Sequence, residues 1–171
     1  PQRIIRIVAP QPAGSGVDGV LADLGISSPQ LDTGARGFSW RRNGPLDMRL
    51  DPTRGRTAAD LLNSLPEAEL EAAIRELGDE EESERIARLI FLRRPLKLTW
   101  QLAELVCEAK AFSPERATRM PLHPAVRTFQ AIRMLVNREP ANLDRLLTVI
   151  PGVLAPGGTA VIISFHSGED R

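Results

Sequence analysis

The chain has 171 residues, 42% of them hydrophobic, which suffices for one core or for a domain with an insertion. Its 22 basic and 22 acidic residues cancel, so the overall charge gives no support for wholesale nucleic-acid binding and any charged surface depends on local distribution. With one cysteine, no zinc-type cluster and no apolar run near the ~20 residues of a membrane span, the sequence predicts a cytoplasmic protein that binds no membrane.

Two strands are predicted near the N-terminus. Arg3–Ala9 is rich in large aliphatic residues, and after a turn-rich connector Val17–Leu24 forms a short apolar run that we expect to be a buried strand. Asp23 stands at the end of that run, and a loop rich in glycine, serine and proline follows it. Ligands bind beyond the carboxyl ends of strands in open α/β sheets, so Asp23 with Gln30 predicts a polar site. The alternative is that Asp23 only caps the turn.

The next segment is locally basic. Six arginines lie between Arg36 and Arg56 against two aspartates, and Phe38 and Trp40 are interleaved with them. Single-stranded RNA is bound by such mixtures, because its backbone attracts cations and its unpaired bases stack on aromatic rings. The alternative is a solvated loop that Phe38 and Trp40 anchor to the core.

From residue 57 to residue 122 the apolar residues recur at helical spacing. Capping-box spacing predicts helix starts after Thr57 and Ser64, and Ser113 before a proline predicts a third. Gly78 is expected to end one helix. The acidic run Asp79–Glu84 is expected to be the solvated first turn of the next helix rather than a metal site.

The C-terminal third returns to an α/β pattern. A helix is predicted at Arg127–Arg138, closed by Pro140, and Asn142 is expected to cap a second helix. A Pro-Gly-Gly turn then leads into Thr159–Phe165, which is apolar at successive positions and is expected to be a strand covered on both faces.

The chain has two histidines, which we interpret differently. A lone histidine is usually a hydrogen-bonded structural residue, and we expect this of His123. Ser164 and His166 instead lie at the carboxyl end of the last predicted strand, which is the sheet edge expected to carry Asp23.

Five segments occur in an order that resembles one family. DLGISSPQLD, RGFSW, GPLDMR, HPAVRTFQAIRMLVN and ISFHSGEDR are similar to the successive signatures of the bacterial MraW-like methyltransferases, which act on small-subunit ribosomal RNA. The resemblance implies methylation of the exocyclic N4 of a cytidine in the decoding region, with S-adenosylmethionine as cofactor and the RNA or the small ribosomal subunit as partner. It implies an α/β fold, a partial doubly wound Rossmann-like sheet with an all-helical insertion.

The resemblance also implies roles for individual residues. Asp23 and Gln30 would contact S-adenosylmethionine, and Asp23 could alternatively accept a hydrogen of the target amine. By their position, Ser164 and His166 are expected near the cytosine. The residues expected to contact RNA are Arg36, Trp40, Arg41 and Arg42.

The resemblance divides the chain into a methyltransferase core, at residues 1–37 and 123–171, and a helical insertion at 38–122 for RNA recognition. The family's glycine-rich cofactor loop is not found, because Gly14 and Gly16 precede a strand instead of opening a helix. Gly168 stands where the family usually has leucine.

These departures predict a truncated chain with impaired cofactor binding. An open strand edge at Val161–Phe165 would then favour self-association, as in a homodimer. The alternative function is a non-catalytic RNA-binding or ribosome-assembly module derived from the same fold.

Overall fold

The computed structural model describes the backbone of residues 3–8 and 16–164, and side chains from residue 16 to residue 163 except residue 114. The chain divides into two compact units. The sheet unit consists of Pro1–Ile26 and Arg138–Arg171, and the helical unit is Ser27–Asn137. The predicted site residue His166 lies outside the described residues, and for Ser164 only the backbone is described.

The helices and strands are named in chain order. They are β1 (Arg3–Val8), β2 (Val17–Asp23), α1 (Ser28–Asp32), a 3-10 turn at Gly34–Arg36, α2 (Ala58–Ser64), α3 (Glu67–Gly78), α4 (Ser83–Leu92), α5 (Thr99–Ala109), α6 (Pro114–Thr118), α7 (Val126–Asn137), α8 (Glu139–Val153) and β3 (Leu154–Ser164). Within the described residues, none of these helices is both long enough and apolar enough to cross a membrane.

The sheet unit has β3 in the middle of a sheet with the strand order β1-β3-β2. β1 runs antiparallel to β3, whereas β2 runs parallel to it. The two segments predicted as strands, near Val17–Leu24 and Thr159–Phe165, are therefore neighbours in one sheet, and the predicted α/β class is confirmed. Helix α8 packs on one face of this sheet around the buried residues Ile150, Leu154, Ala160 and Ile162.

The predicted burial of the two parallel strands is wrong. Residues that pair across strands point to the same face, so Ala22 with Ile162 faces α8, whereas Leu21 with Val161 faces the opposite side. Leu21 is 72% exposed and Val17 is 45% exposed. β2 is an edge strand covered on one face only, and β3 is fully buried on the α8 face only. The open strand edge predicted at Val161–Phe165 is wrong for the described residues 161–164, because β3 is the central strand and pairs with β1 on one side and with β2 on the other. Self-association of the chain stays a prediction.

The predicted Pro-Gly-Gly turn lies inside β3 as an irregularity of the strand. Val17 pairs with Leu154, but Gly19 already pairs with Thr159, so β3 contains extra residues at this point. Gly157 adopts a φ of +77°, which glycine reaches without steric cost. A bulge of this kind bends a strand without ending it.

Two of the four predicted helix caps, those at Thr57 and Ser113, are confirmed. The backbone N–H of Asp60 donates to the Thr57 hydroxyl at 3.0 Å, and the Thr57 N–H donates to the Asp60 carboxylate at 2.9 Å. Ser113 accepts a backbone N–H of the first turn of α6 at 3.3 Å. The cap predicted at Ser64 is wrong, because Ser64 is the last residue of α2 and α3 starts after Pro66.

Gly78 ends α3 as predicted, but the left-handed residue that follows the helix is Asp79, with a φ of 47°. The requirement for glycine at position 78 is steric and not a matter of backbone conformation. A Cβ at this position would lie 2.8 Å from the carbonyl oxygen of Arg127, so the missing side chain lets α3 approach α7.

The boundary between the last two helices also differs from the prediction. Arg138 adopts a φ of 51° and separates α7 from α8, which begins at Glu139. Pro140 therefore opens α8 and does not close α7, which is consistent with the tolerance of proline in a first turn. Asn142 lies inside α8, so its predicted capping role is wrong.

The acidic run before α4 is not wholly solvated. Glu80 is 2% exposed, and both its carboxylate oxygens accept hydrogen bonds from the Lys110 Nζ at 2.9 Å. Lys110 also approaches the carbonyl oxygen of Pro124 at 3.4 Å. This buried ion pair joins the α3–α4 connection to the end of α5 and to the segment that precedes α7.

The helical unit extends beyond the predicted insertion at 38–122. Met48 N donates to the carbonyl oxygen of Arg36 at 3.0 Å, which attaches the residues before position 38. The Asn137 side chain donates to the Met48 carbonyl oxygen and accepts from Leu50 N, both at 2.8 Å, which attaches all of α7. The RNA-recognition role of this unit stays a prediction.

Candidate functional site

The carboxyl ends of β2 and β3 form the candidate site of the sheet unit. Asp23 is the last residue of β2 and pairs with Ile163 of β3. The Leu24 N–H donates to the Ile163 carbonyl oxygen at 3.1 Å, so the chain beyond Asp23 stays beside β3. Ser164 ends β3 one residue later. The two strand ends therefore meet at one edge, where Asp23 is exposed to solvent.

The edge can accept a ligand with hydrogen-bond donors. A carboxylate is an acceptor only, so Asp23 fits the ammonium group and the ribose hydroxyls of S-adenosylmethionine. Gly25 follows with a φ of +108°, and a Cβ there would have no other atom within 4 Å. The backbone beside Asp23 is thus open to a ligand, and replacing Gly25 would strain it.

Gln30, the second predicted cofactor residue, belongs to the helical unit and has a local structural partner. Its side-chain Oε1 accepts the backbone N–H of Ser27 at 2.9 Å, at the start of α1. The amide nitrogen of Gln30 remains as a donor. Its role toward a cofactor stays a prediction.

The helical unit presents a basic loop, defined here as residues 34–56. Its two halves are in close contact, since a Cβ on Gly44 would lie 2.6 Å from the carbonyl carbon of Gly34. Gly37 has a φ of +72°, and a Cβ there would lie 2.8 Å from Asp47 N. The glycines of this loop therefore allow backbone to pack directly on backbone.

A short ribbon fixes the basic loop to the start of α5. Thr99 N donates to the Gly44 carbonyl oxygen at 2.9 Å, and the Thr99 hydroxyl donates to the Arg42 carbonyl oxygen at 3.0 Å. Leu46 N donates to the Lys97 carbonyl oxygen at 2.9 Å. We call the paired segments 42–46 and 97–99 the loop ribbon. Sequence reasoning missed it, although an isolated threonine before an apolar helix could have indicated a capping or anchoring role.

Arg36, predicted to bind phosphate, is a bridge within the loop. Its Nη2 donates to the carbonyl oxygens of Arg49 and Leu50 at 2.8 and 3.0 Å, and its guanidinium lies 5.6 Å from the centroid of the Phe38 ring. These contacts hold the two ends of the loop together. An RNA contact by Arg36 would have to use the remaining donors of its guanidinium.

Arg49 is also committed to the loop. It binds both carboxylate oxygens of Asp47, at 2.8 Å each, and this hydrogen-bonded guanidinium holds the pKa of Asp47 below its usual range. The pair is half-buried, so solvent screens it less than an exposed pair.

Trp40, predicted to stack on RNA bases, already has ring partners. Its ring stacks on His123 with 3.8 Å between centroids and 15° between planes. The Arg41 guanidinium lies 5.1 Å from the centroid of Trp40. A base could stack on Trp40 only after Arg41 moved, and Trp40 in this structure anchors the basic loop to the segment before α7.

Arg41 and Arg42 are the loop arginines most available to a phosphate. Both are exposed, and the cation–π contact with Trp40 orients Arg41 at the surface. Within the part of the chain that the structure describes, the Arg42 guanidinium has no hydrogen-bond or ion-pair partner. By contrast, Arg54 approaches Asp51 and Arg56 donates to the Asp60 carbonyl oxygen.

His123 is buried and held in one orientation. Its Nδ1 accepts the backbone N–H of Ala125 at 3.2 Å, which leaves the proton of the neutral ring on Nε2, 4.0 Å from the sulfur of Cys107. Burial, followed by the charge of Arg41, lowers the pKa of His123. Cys107 is buried, as predicted for a small core residue, and burial raises the pKa of its thiol.

The titration of His123 predicts an acid-sensitive helical unit. The neutral ring is favoured in the folded state, so between the folded pKa and the unfolded value of about 6.5 the unfolded state binds more protons. The contribution of His123 to the free energy of unfolding is then constant above about pH 6.5. Below that pH it decreases, by up to ~1.4 kcal/mol per pH unit, until the folded pKa is reached. Urea unfolding of the helical unit at several pH values measures this slope.

The control separates the two histidines. Near pH 6, the free energy of unfolding of the His123→Gln variant is expected to be independent of pH, whereas that of the His166→Gln variant is expected to keep the pH dependence of the wild type. The neighbouring groups are Arg41, whose charge contributes to the lowered pKa of His123, and Cys107, whose thiol pKa is raised by burial. An equal slope in the wild type and in His123→Gln would contradict the prediction.

Comparisons with known proteins agree on one family. The sequence model of the MraW methylase family matches residues 4–171. A ribosomal RNA small subunit methyltransferase H from Halorhodospira halophila is 50% identical over 170 residues, which cover 97% of this chain and 51% of that protein. The protein of the same name from Thioalkalivibrio sulfidiphilus is 52% identical over 158 residues, covering 91% and 49%. The Xylella fastidiosa protein is 46% identical over 171 residues, covering 98% and 53%. The chain spans about half the length of these curated relatives.

Proposed function

The chain belongs to the MraW methylase family, and from this premise we propose that it serves the methylation of small-subunit ribosomal RNA with S-adenosylmethionine as the methyl donor. The proposed target is the exocyclic N4 of a cytidine in the decoding region. The observation that carries the proposal is the meeting of two parallel strand ends at Asp23 and Ser164. Open α/β sheets bind their ligands beyond such ends.

Asp23 is the residue best placed to act at this edge. Its exposed carboxylate can hold the ammonium or hydroxyl groups of the cofactor, and no other described residue of β2 combines a carboxylate with the end of the strand. When bound, S-adenosylmethionine supplies an electrophilic methyl group on a sulfonium. A carboxylate at Asp23 could alternatively accept an N–H of the cytosine amine, which raises the electron density at N4.

The helical unit would hold the RNA. Arg41 and Arg42 are exposed on a loop whose backbone is fixed by the loop ribbon, so two cations are presented without the cost of ordering a flexible segment. Each contact of these cations with a single-stranded phosphate should steepen the log-log salt dependence of binding by ~0.7.

The test compares two aspartates of β2. Asp23→Asn is expected to lower the affinity for S-adenosylmethionine by about tenfold to 100-fold, because it removes a charge-assisted hydrogen bond. Asp18→Asn, at the opposite end of the same strand, is the matched control and is expected to leave the affinity unchanged. Isothermal titration calorimetry measures the binding, and transfer of a labelled methyl group to small ribosomal subunits measures the activity.

The same titration tests the alternative function. If the wild type binds small-subunit RNA but no S-adenosylmethionine, the chain is an RNA-binding module and the proposed role of Asp23 is wrong. Equal losses in the Asp23 and Asp18 variants would indicate a general change of the strand and would also contradict the proposal.

A further inference from the structure

Trp100 has the properties of a base-stacking residue that Trp40 lacks. It is 43% exposed in the first turn of α5, although tryptophan is usually largely buried. Within the described residues, its ring stacks on no other aromatic ring and makes no cation–π contact with an arginine or a lysine. An aromatic face in contact with water is therefore available at this position, whereas the Trp40 ring already contacts His123 and Arg41.

Two cationic side chains, Arg42 and Lys97, belong to the loop ribbon, whose last residue, Thr99, directly precedes Trp100. The loop ribbon brings Arg42 to Thr99 through the 3.0 Å hydrogen bond from the Thr99 hydroxyl, and Trp100 is the next residue. Lys97 lies on the same ribbon, where its carbonyl oxygen accepts from Leu46 N. The side chains of Arg42 and Lys97 are exposed, and no acidic partner is found for either within the described residues.

The nearest acid on the same helix is Glu104, one turn after Trp100. Side chains on a helix lean toward its N-terminus, so the indole covers the surface over residues 96–99 rather than the side of Glu104. The charged residues of the loop ribbon, which ends directly before Trp100, are Arg42 and Lys97, and both are cationic. An exposed aromatic ring on backbone that adjoins two unpaired cations is complementary to an unpaired nucleotide, whose base stacks and whose phosphates are negative.

We propose that Trp100, flanked by Arg42 and Lys97, is a stacking site for an unpaired base of the RNA substrate. The inference rests on the proposed function for the identity of the RNA, and it adds a site that the family motifs do not contain. The loop ribbon fixes the spacing of the backbone positions, because the carbonyl oxygens of Arg42 and Lys97 both accept hydrogen bonds within it and Trp100 directly follows Thr99. The site extends the surface of Arg41 and Arg42 along the start of α5.

The test uses single-stranded oligonucleotides of small-subunit RNA sequence and the full chain. Trp100→Ala is expected to weaken binding by about fivefold to 150-fold, the range for loss of one stacked base, with an unchanged salt slope. Arg42→Ala and Lys97→Ala should each reduce that slope by ~0.7. Trp100→Phe should retain most of the affinity, because a smaller ring still stacks. RNA should quench the tryptophan fluorescence of the wild type, and less so that of Trp100→Phe.

Phe91 provides the matched control. It is a similarly exposed aromatic residue, 46% exposed, near the end of α4. The α4 end lies toward the far end of α5, since the neighbouring Arg93 binds Glu108 at 2.9 Å. Phe91→Ala is expected to leave RNA affinity unchanged.

The outcomes separate this inference from the proposed function. If the wild type binds no RNA, the proposed function fails. If it binds RNA and Trp100→Ala binds equally well, only the stacking site is wrong. If inorganic polyphosphate competes as well as RNA of the same charge, binding is purely electrostatic and the inference is overturned. Quenching by ribosomal proteins but not by RNA would assign this surface to a protein partner and would overturn it too.

Discussion

Replacing Lys110 with methionine is expected to lower the free energy of unfolding of the helical unit by about 3–5 kcal/mol. Methionine preserves the aliphatic length of lysine but removes the ammonium group. Glu80, which is 2% exposed, would then lose its charged donor, and its carboxylate would keep only the backbone N–H of Glu82 at 3.4 Å. An unpaired buried carboxylate carries the full cost of its desolvation.

Urea unfolding followed by circular dichroism measures this loss. Arg75→Met is the matched control, because Arg75 pairs with Glu71 on the exposed surface of α3, where such pairs contribute about 0.3–0.5 kcal/mol. The double variant Glu80→Gln with Lys110→Met should recover part of the loss, since it no longer buries a charge. A Lys110→Met variant as stable as Arg75→Met would contradict the assigned role of the pair.

Gly37→Ala is expected to destabilise the basic loop by about 1–2 kcal/mol for the left-handed backbone and by about 1–3 kcal/mol more for overpacking. The added Cβ would overlap the carbonyl oxygen of Pro45 and lie 2.8 Å from Asp47 N. Both contacts are with backbone, which cannot rotate away as a side chain can. The halves of the loop would have to separate.

Gly55→Ala isolates the steric part of this effect. Gly55 has a φ of +74°, nearly the same as the +72° of Gly37, but a Cβ there would meet no atom within 4 Å. The difference between the two variants in free energy of unfolding therefore measures the close packing of the loop. RNA affinity should fall in Gly37→Ala and persist in Gly55→Ala. Equal effects of the two substitutions would show that the loop can open without cost.

Local sequence rules predicted the elements that depend on local chemistry. The capping box at Thr57 formed because both of its partners, Thr57 and Asp60, lie within four residues of each other. The same spacing at Ser64 failed because Pro66 takes the cap position of α3. The two parallel strands were found from their apolar runs, but the run at Val17–Asp23 could not reveal that one face, with Leu21, stays exposed.

The site residues were harder to predict because their partners are distant in sequence. Arg36 and Trp40 matched an RNA-binding composition, yet one bridges backbone carbonyl groups and the other stacks on a histidine 83 positions away. Composition gives the residue types of a surface but not which of them the fold has already used. The one available signal for the buried pair was that Lys110 is one of only two lysines in an arginine-rich chain.

The separation of the sheet unit into two distant segments has a consequence for folding kinetics. β2 can pair with β3 only after the two ends of the intervening segment, residues 24–153, have been brought together, an entropic cost of about 4 kcal/mol for a flexible loop of that length. The helical unit has contacts closer in sequence and can form first. Once the helical unit is folded, both of its ends belong to one compact body, so most of the entropy of loop closure has already been lost. Substitutions that unfold the helical unit, far from any strand, would therefore also slow the assembly of the sheet edge that carries Asp23.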